Sequence, residues 1–371
     1  MPPEFVVFNP PVPVEFRQYE LQIEKMLEKY SKIRGVDCIC SMGSIKAPGY
    51  SDIDLVIFFN EEFDRKNAGE FHHRSPDLDQ NLVLHAPVCI GPNYSSDVWR
   101  MLYMSNLTPL YGTVPSEFIG IPPDPVALEH FSLSVLIDFN VGRLMQYAAC
   151  EDAGRINQRH WSTVLWSHTH SELLLNQAGI PLTAKSASIL EEIRRDRERW
   201  LREGVPQNKP DFIDLFIRSK YLTIEILNAT LKAEGNLLHS KGVSRPSRVT
   251  RGNKTILFKD IDEFCPTCKS FRFRGRMLPV SHTLTAPLSY QKHMAAYRFL
   301  DERHVSPPDD CEYLKFLKSR RVAAEQHGVF CSENNLSFSN GPYLGLPVVP
   351  QVGAKYKIAA VAHRLATLFT K

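Results

Sequence analysis

The stretch Cys40-Ser41-Met42-Gly43-Ser44-Ile45-Lys46-Ala47-Pro48-Gly49-Tyr50-Ser51-Asp52-Ile53-Asp54-Leu55-Val56-Ile57-Phe58-Phe59 decides how this chain is read. Apolar residues lead into a Gly-Ser pair and a short Pro/Gly turn follows. Two aspartates, one residue apart, then head an apolar run that reads as a buried strand over residues 52–59. Alternate residues of a strand share a face, so Asp52 and Asp54 are expected side by side while Ile53 and Leu55 turn to the core. Neighbouring carboxylates repel unless a cation stands between them, and hard oxygen ligands of this kind suit Mg2+. A glycine ahead of the turn lets backbone amides approach a phosphate, which makes Gly43, Ser44 and Lys46 candidate nucleotide-binding residues. A hairpin with an acidic turn is the plainer reading, but it leaves the Gly-Ser pair without a shared purpose.

Working outward, residues 15–34 carry Phe16, Tyr19, Ile23, Leu27 and Tyr30 at helical spacing, with Gly35 as the stop. Residues 36–42 read as the first strand and residues 81–90 as a later one bearing His85. Leu82 and Leu84 would face one way, so Val83 and His85 would face the other. His85 is thereby a candidate catalytic residue, as a neutral base or a ligand, beside the alternative of a packed histidine. Asp77 and Asp79, just upstream, are alternative acids.

Gly-Ser, a short spacer and Asp-x-Asp within hydrophobic residues resembles the signature of the polymerase-beta-like nucleotidyltransferase superfamily. The resemblance is carried by the residues quoted above and extends over roughly the first 120. It implies a small mixed sheet in which Asp52 and Asp54 hold Mg2+ against a nucleoside triphosphate such as ATP, with Gly43 and Ser44 cradling its outer phosphates. In that family a third carboxylate stands on a strand at about the place where this chain offers His85. The activity implied is nucleotide transfer to a hydroxyl or phosphate acceptor with release of pyrophosphate. The rival is a non-catalytic nucleotide-binding or scaffold protein on a degenerate site.

The fold class expected is α+β: a nucleotidyltransferase-like domain over residues 1–120, an antiparallel helical bundle over 126–235, and a mixed, partly irregular region over 236–371. Helices are expected at 97–102, 131–150, 157–177, 188–202, 212–233, 290–303, 311–327 and 355–369, and irregular chain at 337–352. The motif His168-Thr169-His170-Ser171-Glu172 has metal-ligand residue types, but on a helix only His168 and Glu172 would share a face. Arg155 and His160 form an Arg-x4-His spacing that resembles the ribonuclease motif of certain helical partners of these enzymes, with surface charges at a helix start as the alternative. Cys265 and Cys268 supply half a zinc site with no second pair at suitable spacing.

Composition sets the remaining bounds. A length of 371 residues suggests two or three domains, and 43% hydrophobic with 23% charged residues is the balance of a soluble globular protein. No membrane-length apolar run and no secretory signal are apparent, so the cytoplasm is the expected location and the eight cysteines are expected to be reduced thiols. Net charge is only +3, yet residues 241–276 hold ten Lys or Arg against three acids. That segment favours an anionic acceptor or nucleic acid as partner over a polycation such as the cationic antibiotics some members of the resembled family accept.

Overall fold

A computed structural model of the protein describes residues 4–43, 45–72, 77–79, 81–102, 106–238, 247–251, 254–273, 276–296 and 311–336. It is a mixed α/β structure with mixed sheets. The first sheet has the order β4-β3-β2-β5, formed by Val88–Ile90, Leu55–Phe59, Val36–Met42 and Leu107–Gly112. Its two inner strands are antiparallel, β4 runs parallel to β3, and β5 runs antiparallel to β2. One face packs Ile39, Leu55, Ile57 and Phe59 under helix α1 (Phe16–Tyr30), whose Tyr19, Met26 and Tyr30 are buried. The other face packs Cys38, Cys40, Val56 and Phe58, so both faces are covered, which is why β3 is apolar at every position.

Four helical segments follow: α2 (Pro125–Ala153), α3 (Gln158–Trp166) with α4 (His168–Gln177), α5 (Ala184–Glu203) and α6 (Lys209–Leu237). The helix expected over 157–177 is interrupted at Ser167, whose carbonyl and hydroxyl both accept from the buried Arg143 at 2.9 and 2.8 Å. Helix α6 runs past Gly235, because that glycine keeps helical backbone and Leu238 N–H still reaches the Glu234 carbonyl at 3.0 Å.

One strand pairing crosses an expected domain border. Val6–Phe8 (β1) lies parallel to Arg155–Asn157 (β6), tying the N-terminal lead-in to the helices. In the C-terminal region Arg248–Arg251, Lys254–Lys259, Cys265–Phe273 and Arg276–Pro287 (β7 to β10) form a second four-stranded sheet of order β7-β8-β10-β9. This sheet lies in the region expected to be mixed, at residues to which no particular element was assigned.

Helices α7 (Leu288–Ala296) and α8 (Glu312–Glu333) complete the described chain. A buried ionic cluster joins them to α2 and α6: Arg320 meets Asp138 at 2.5 Å, and both His293 and Tyr313 bond Glu234 at 2.6 Å. The lower end of α8 reaches the first sheet, where His327 Nε2 bonds the Cys89 carbonyl at 2.7 Å and Cys331 joins the core beneath α1. The expectations for 337–352 and 355–369, and for 297–303, lie outside the described residues. Among the described residues no helix is long and apolar enough to cross a membrane.

Candidate metal and nucleotide site

Strand β3 begins at Leu55, three residues later than the sequence suggested. Pairing with β2 ends where Met42 N–H reaches the Asp54 carbonyl at 2.9 Å; Gly43 N–H then turns to the Asn106 carbonyl at 3.0 Å, and residues 51–53 lie outside the ladder. The extended backbone survives all the same. Ile53 is buried while Asp52 and Asp54 are half-buried on the opposite side, as alternation requires.

The strand expected over 81–90 forms only at Val88–Ile90. Leu82 and Val83 both turn their amides back to the Asp79 carbonyl, at 3.0 and 2.9 Å, and Pro87 has no amide to give to a ladder. Leu82 and Val83 are consequently both buried, and strict alternation does not apply there. His85 reaches the aspartates from a bend instead. Its Nε2 lies 2.5 Å from Asp54 Oδ1 and 3.7 Å from Asp52 Oδ2. Ligand atoms of Asp52, Asp54 and His85 all fall within 4.8 Å of one another, and this trio is a group that could hold a metal ion.

The imidazole is oriented by its other nitrogen. His85 Nδ1 sits 2.9 Å from the Ala86 carbonyl, an acceptor only, so Nδ1 carries the proton and Nε2 is left facing the carboxylates. Burial works against the imidazolium, but the hydrogen bond and charge of Asp54, with the charge of Asp52, carry the His85 pKa up to about 9. Burial, reinforced by the Asp54 charge, raises Asp52 to about 6 against the opposing effect of His85. The pair is thus held together by a proton on Nε2, at the place a cation would occupy. Asp77 and Asp79 do not join the group. Asp77 is exposed near Lys29 at 3.5 Å, and Asp79 caps the turn through Asn81 N–H at 2.8 Å.

Between the Gly-Ser turn and the aspartates the spacer is gripped from three helices. Tyr19 of α1 donates to the Ser51 carbonyl at 2.7 Å and accepts from Gly49 N–H at 2.9 Å. Arg159 of α3, fully buried, donates to the Gly49 carbonyl and, at 3.2 Å, to the Ser51 carbonyl. Trp200 of α5 donates to the Pro48 carbonyl at 2.8 Å and stacks on Tyr50 with ring centroids 4.7 Å apart. Gly49 is obligatory here: its φ is +89°, and a Cβ would lie 2.3 Å from the Val12 carbonyl oxygen.

A cleft of about 630 Å³ opens beside the trio. Gly43, Lys46, Asp52 and Asp54 line it together with Trp166, His170, Arg194 and Arg197 of the helices. Gly43 has a φ of +76° with open space where a side chain would stand, and Lys46 is exposed. Ser44, expected beside Gly43 at a phosphate, lies outside the described residues.

The other sequence candidates do not assemble. His168 is buried and bonds Thr223 Oγ1 at 2.9 Å, while Glu172 pairs with Arg194, so neither is left for zinc. Arg155 rests on the Phe8 ring and His160 is exposed; Arg159 between them is the residue that meets the site. Cys265 is exposed and Cys268 buried on one strand, and among the described residues no metal-ligand group of three or more includes them. Arg159, Trp200 and Arg197 went unforeseen because each comes from more than a hundred residues downstream. Comparisons with protein-family models, curated proteins and solved structures give no match.

Proposed function

We propose that the protein transfers a nucleotide from a nucleoside triphosphate to a hydroxyl or phosphate acceptor and releases pyrophosphate, with Mg2+ as cofactor. The observation that carries this reading is the convergence of Asp52, Asp54 and His85 Nε2 beside the Gly43 turn at the mouth of the cleft. The resemblance of residues 40–59 to the polymerase-beta-like signature supports it from the sequence.

The donor set fits a divalent cation: two carboxylates supply hard oxygens, and the Nδ1–H bond to Ala86 leaves the Nε2 lone pair as a third ligand once its proton departs. A cation bound there supplies neutralisation of charge on the phosphate oxygens. Gly43 offers open space to a phosphate, Lys46 offers a mobile positive charge, and the grip of Tyr19, Arg159 and Trp200 on the spacer holds the aspartates in place. In the transfer, the acceptor oxygen bonds to the α-phosphorus as the bond to the β-phosphate oxygen breaks, and the electron pair leaves with pyrophosphate. With Nε2 on the cation and Nδ1–H bonded to Ala86, His85 acts as a ligand, and the proton of a hydroxyl acceptor leaves to solvent.

A non-catalytic, nucleotide-binding role is the second reading, favoured by the absence, among the described residues, of a third carboxylate from the ligand group. Incubation with α-labelled and γ-labelled triphosphates, Mg2+ and a cell extract separates the two. Transfer predicts the α-label on a larger product and the γ-label in pyrophosphate, both lost in Asp54→Asn. Tight binding with the label retained in the triphosphate would point to the second reading.

A further inference from the structure

The arginines of α5 are not alike. Arg194 pairs with Glu172, Arg199 with Asp196 at 2.6 Å, and Arg202 with Glu203 at 2.8 Å. Arg197 has no carboxylate within ion-pair distance among the described residues. Its guanidinium donates to the Ser51 hydroxyl at 3.1 Å and lies 4.2 Å above the Trp166 ring. It is half-buried, lines the cleft, and stands next to the residue that precedes Asp52.

A half-desolvated guanidinium that feels the Asp52 charge only from beyond ion-pair distance is left with donors to spare toward the cleft. Burial alone lowers the pKa of Arg197, although a guanidinium keeps its proton at any working pH. The Ser51 bond and the indole face use one edge and one face of the guanidinium and hold its plane, so remaining N–H donors are left for an acceptor in the cleft. Lys46 lines the same cleft and adds positive charge to it. Glu198 also lines the cleft but is exposed to solvent, where its charge is screened.

The geometry points to Arg197 as an anion-binding residue of the cleft, holding a phosphate group of the substrate in the space that Gly43 and Lys46 also line. The proposal rests on the nucleotidyl-transfer reading only for the source of that phosphate, which is either the tail of the triphosphate or an anionic acceptor. Planar, bidentate recognition by arginine suits a phosphate from either source.

Calorimetric titration of the full chain with inorganic tripolyphosphate, and separately with a 5′-phosphorylated oligonucleotide, tests it in EDTA and again with Mg2+. Arg197→Met keeps the stem against Trp166 and removes the charge; Arg195→Met on the exposed side of the same helix is the control. Arg197→Met is expected to weaken binding roughly ten- to a hundredfold, the worth of one charge-assisted hydrogen bond or pair of bonds. Loss for tripolyphosphate assigns the triphosphate tail, and loss for the oligonucleotide alone assigns the acceptor. Unchanged binding of both, equal loss in Arg195→Met, or no binding of either by the unaltered protein would overturn the proposal. If Arg197→Met fails to fold, Arg197→Lys takes its place, and a loss of at least threefold with an unchanged melting temperature is then the expected result; no loss overturns it. The EDTA arm contains no metal and no transfer, so failure of the catalytic reading leaves this result interpretable.

Discussion

Binding of a divalent cation is expected to expel the proton that now joins His85 to Asp54. The Nδ1–H is committed to Ala86, so the nitrogen facing Asp54 at 2.5 Å is the one a metal would need. Burial disfavours the imidazolium, yet the two carboxylates outweigh it and bring the pKa to about 9. Near neutral pH the free protein therefore holds this proton, and each cation bound must displace it. Apparent affinity then rises about tenfold per pH unit up to that pKa, or roughly a hundredfold between pH 6.5 and pH 8.5. Asp52, raised to about 6 by burial and then by Asp54, steepens the dependence at the acidic end of that range. Calorimetry near pH 7.5 in two buffers of different ionisation enthalpy counts the protons directly, and about one per ion is expected. His85→Asn should flatten the dependence above pH 7 while leaving the carboxylates in place. Affinity independent of pH in the unaltered protein, with no proton released, would refute the reasoning.

Three further outcomes follow from the same geometry. Asp54→Asn is expected to lower transfer by roughly a hundredfold or more, the scale seen when one electrostatic stabiliser is lost, in a protein that still folds because the side chain is not part of the core; transfer at the original rate would place the site elsewhere. Gly49→Ala forces a Cβ to within 2.3 Å of the Val12 carbonyl at a φ of +89°, so the denaturation midpoint should fall by the equivalent of roughly 2 kcal/mol or more, and an unmoved midpoint would contradict the packing of the spacer. His293 is fully buried, and although burial opposes its charge, Glu234 and Asp138 raise its pKa to about 9. Its folded value lies above the unfolded one, so its stabilisation is complete below about pH 6.5 and is lost as pH rises through about 9. His327 works in the other direction, because burial lowers it to about 4 and its contribution disappears as pH falls toward that value. Urea denaturation across pH 5 to 9 should show a maximum in between, and His293→Gln should remove the alkaline decline; a flat profile would argue against the buried cluster.

The acidic half of the site was legible because two-residue periodicity survives where the ladder has given way to single hydrogen bonds: Asp52 and Asp54 keep a common side beyond the start of β3. His85 was found for a reason that does not hold. The alternation assigned to residues 81–85 is absent, and the histidine reaches Asp54 through a bend set by Asp79 and Pro87. What the sequence hid is long-range. Arg159 sits among helix-forming neighbours like any surface arginine, and nothing local announces that its guanidinium ends on the Gly49 and Ser51 carbonyls. Trp200 and Arg197 read as one charged helix with an aromatic, and their meeting with the spacer is decided by how α5 packs. The second sheet was obscured by charge: Lys254-Thr255-Ile256-Leu257-Phe258-Lys259 forms a strand, but the basic residues around its short apolar run mask the strand pattern.

Anomalous diffraction from crystals soaked in Mn2+ tests the central claim most directly, since manganese replaces magnesium on oxygen ligands and scatters anomalously. One strong peak is expected, bounded by carboxylate oxygens of Asp52 and Asp54 and by His85 Nε2, and abolished in Asp54→Asn. A peak elsewhere, or none at this trio at a pH above that of the His85 proton, would contradict that claim.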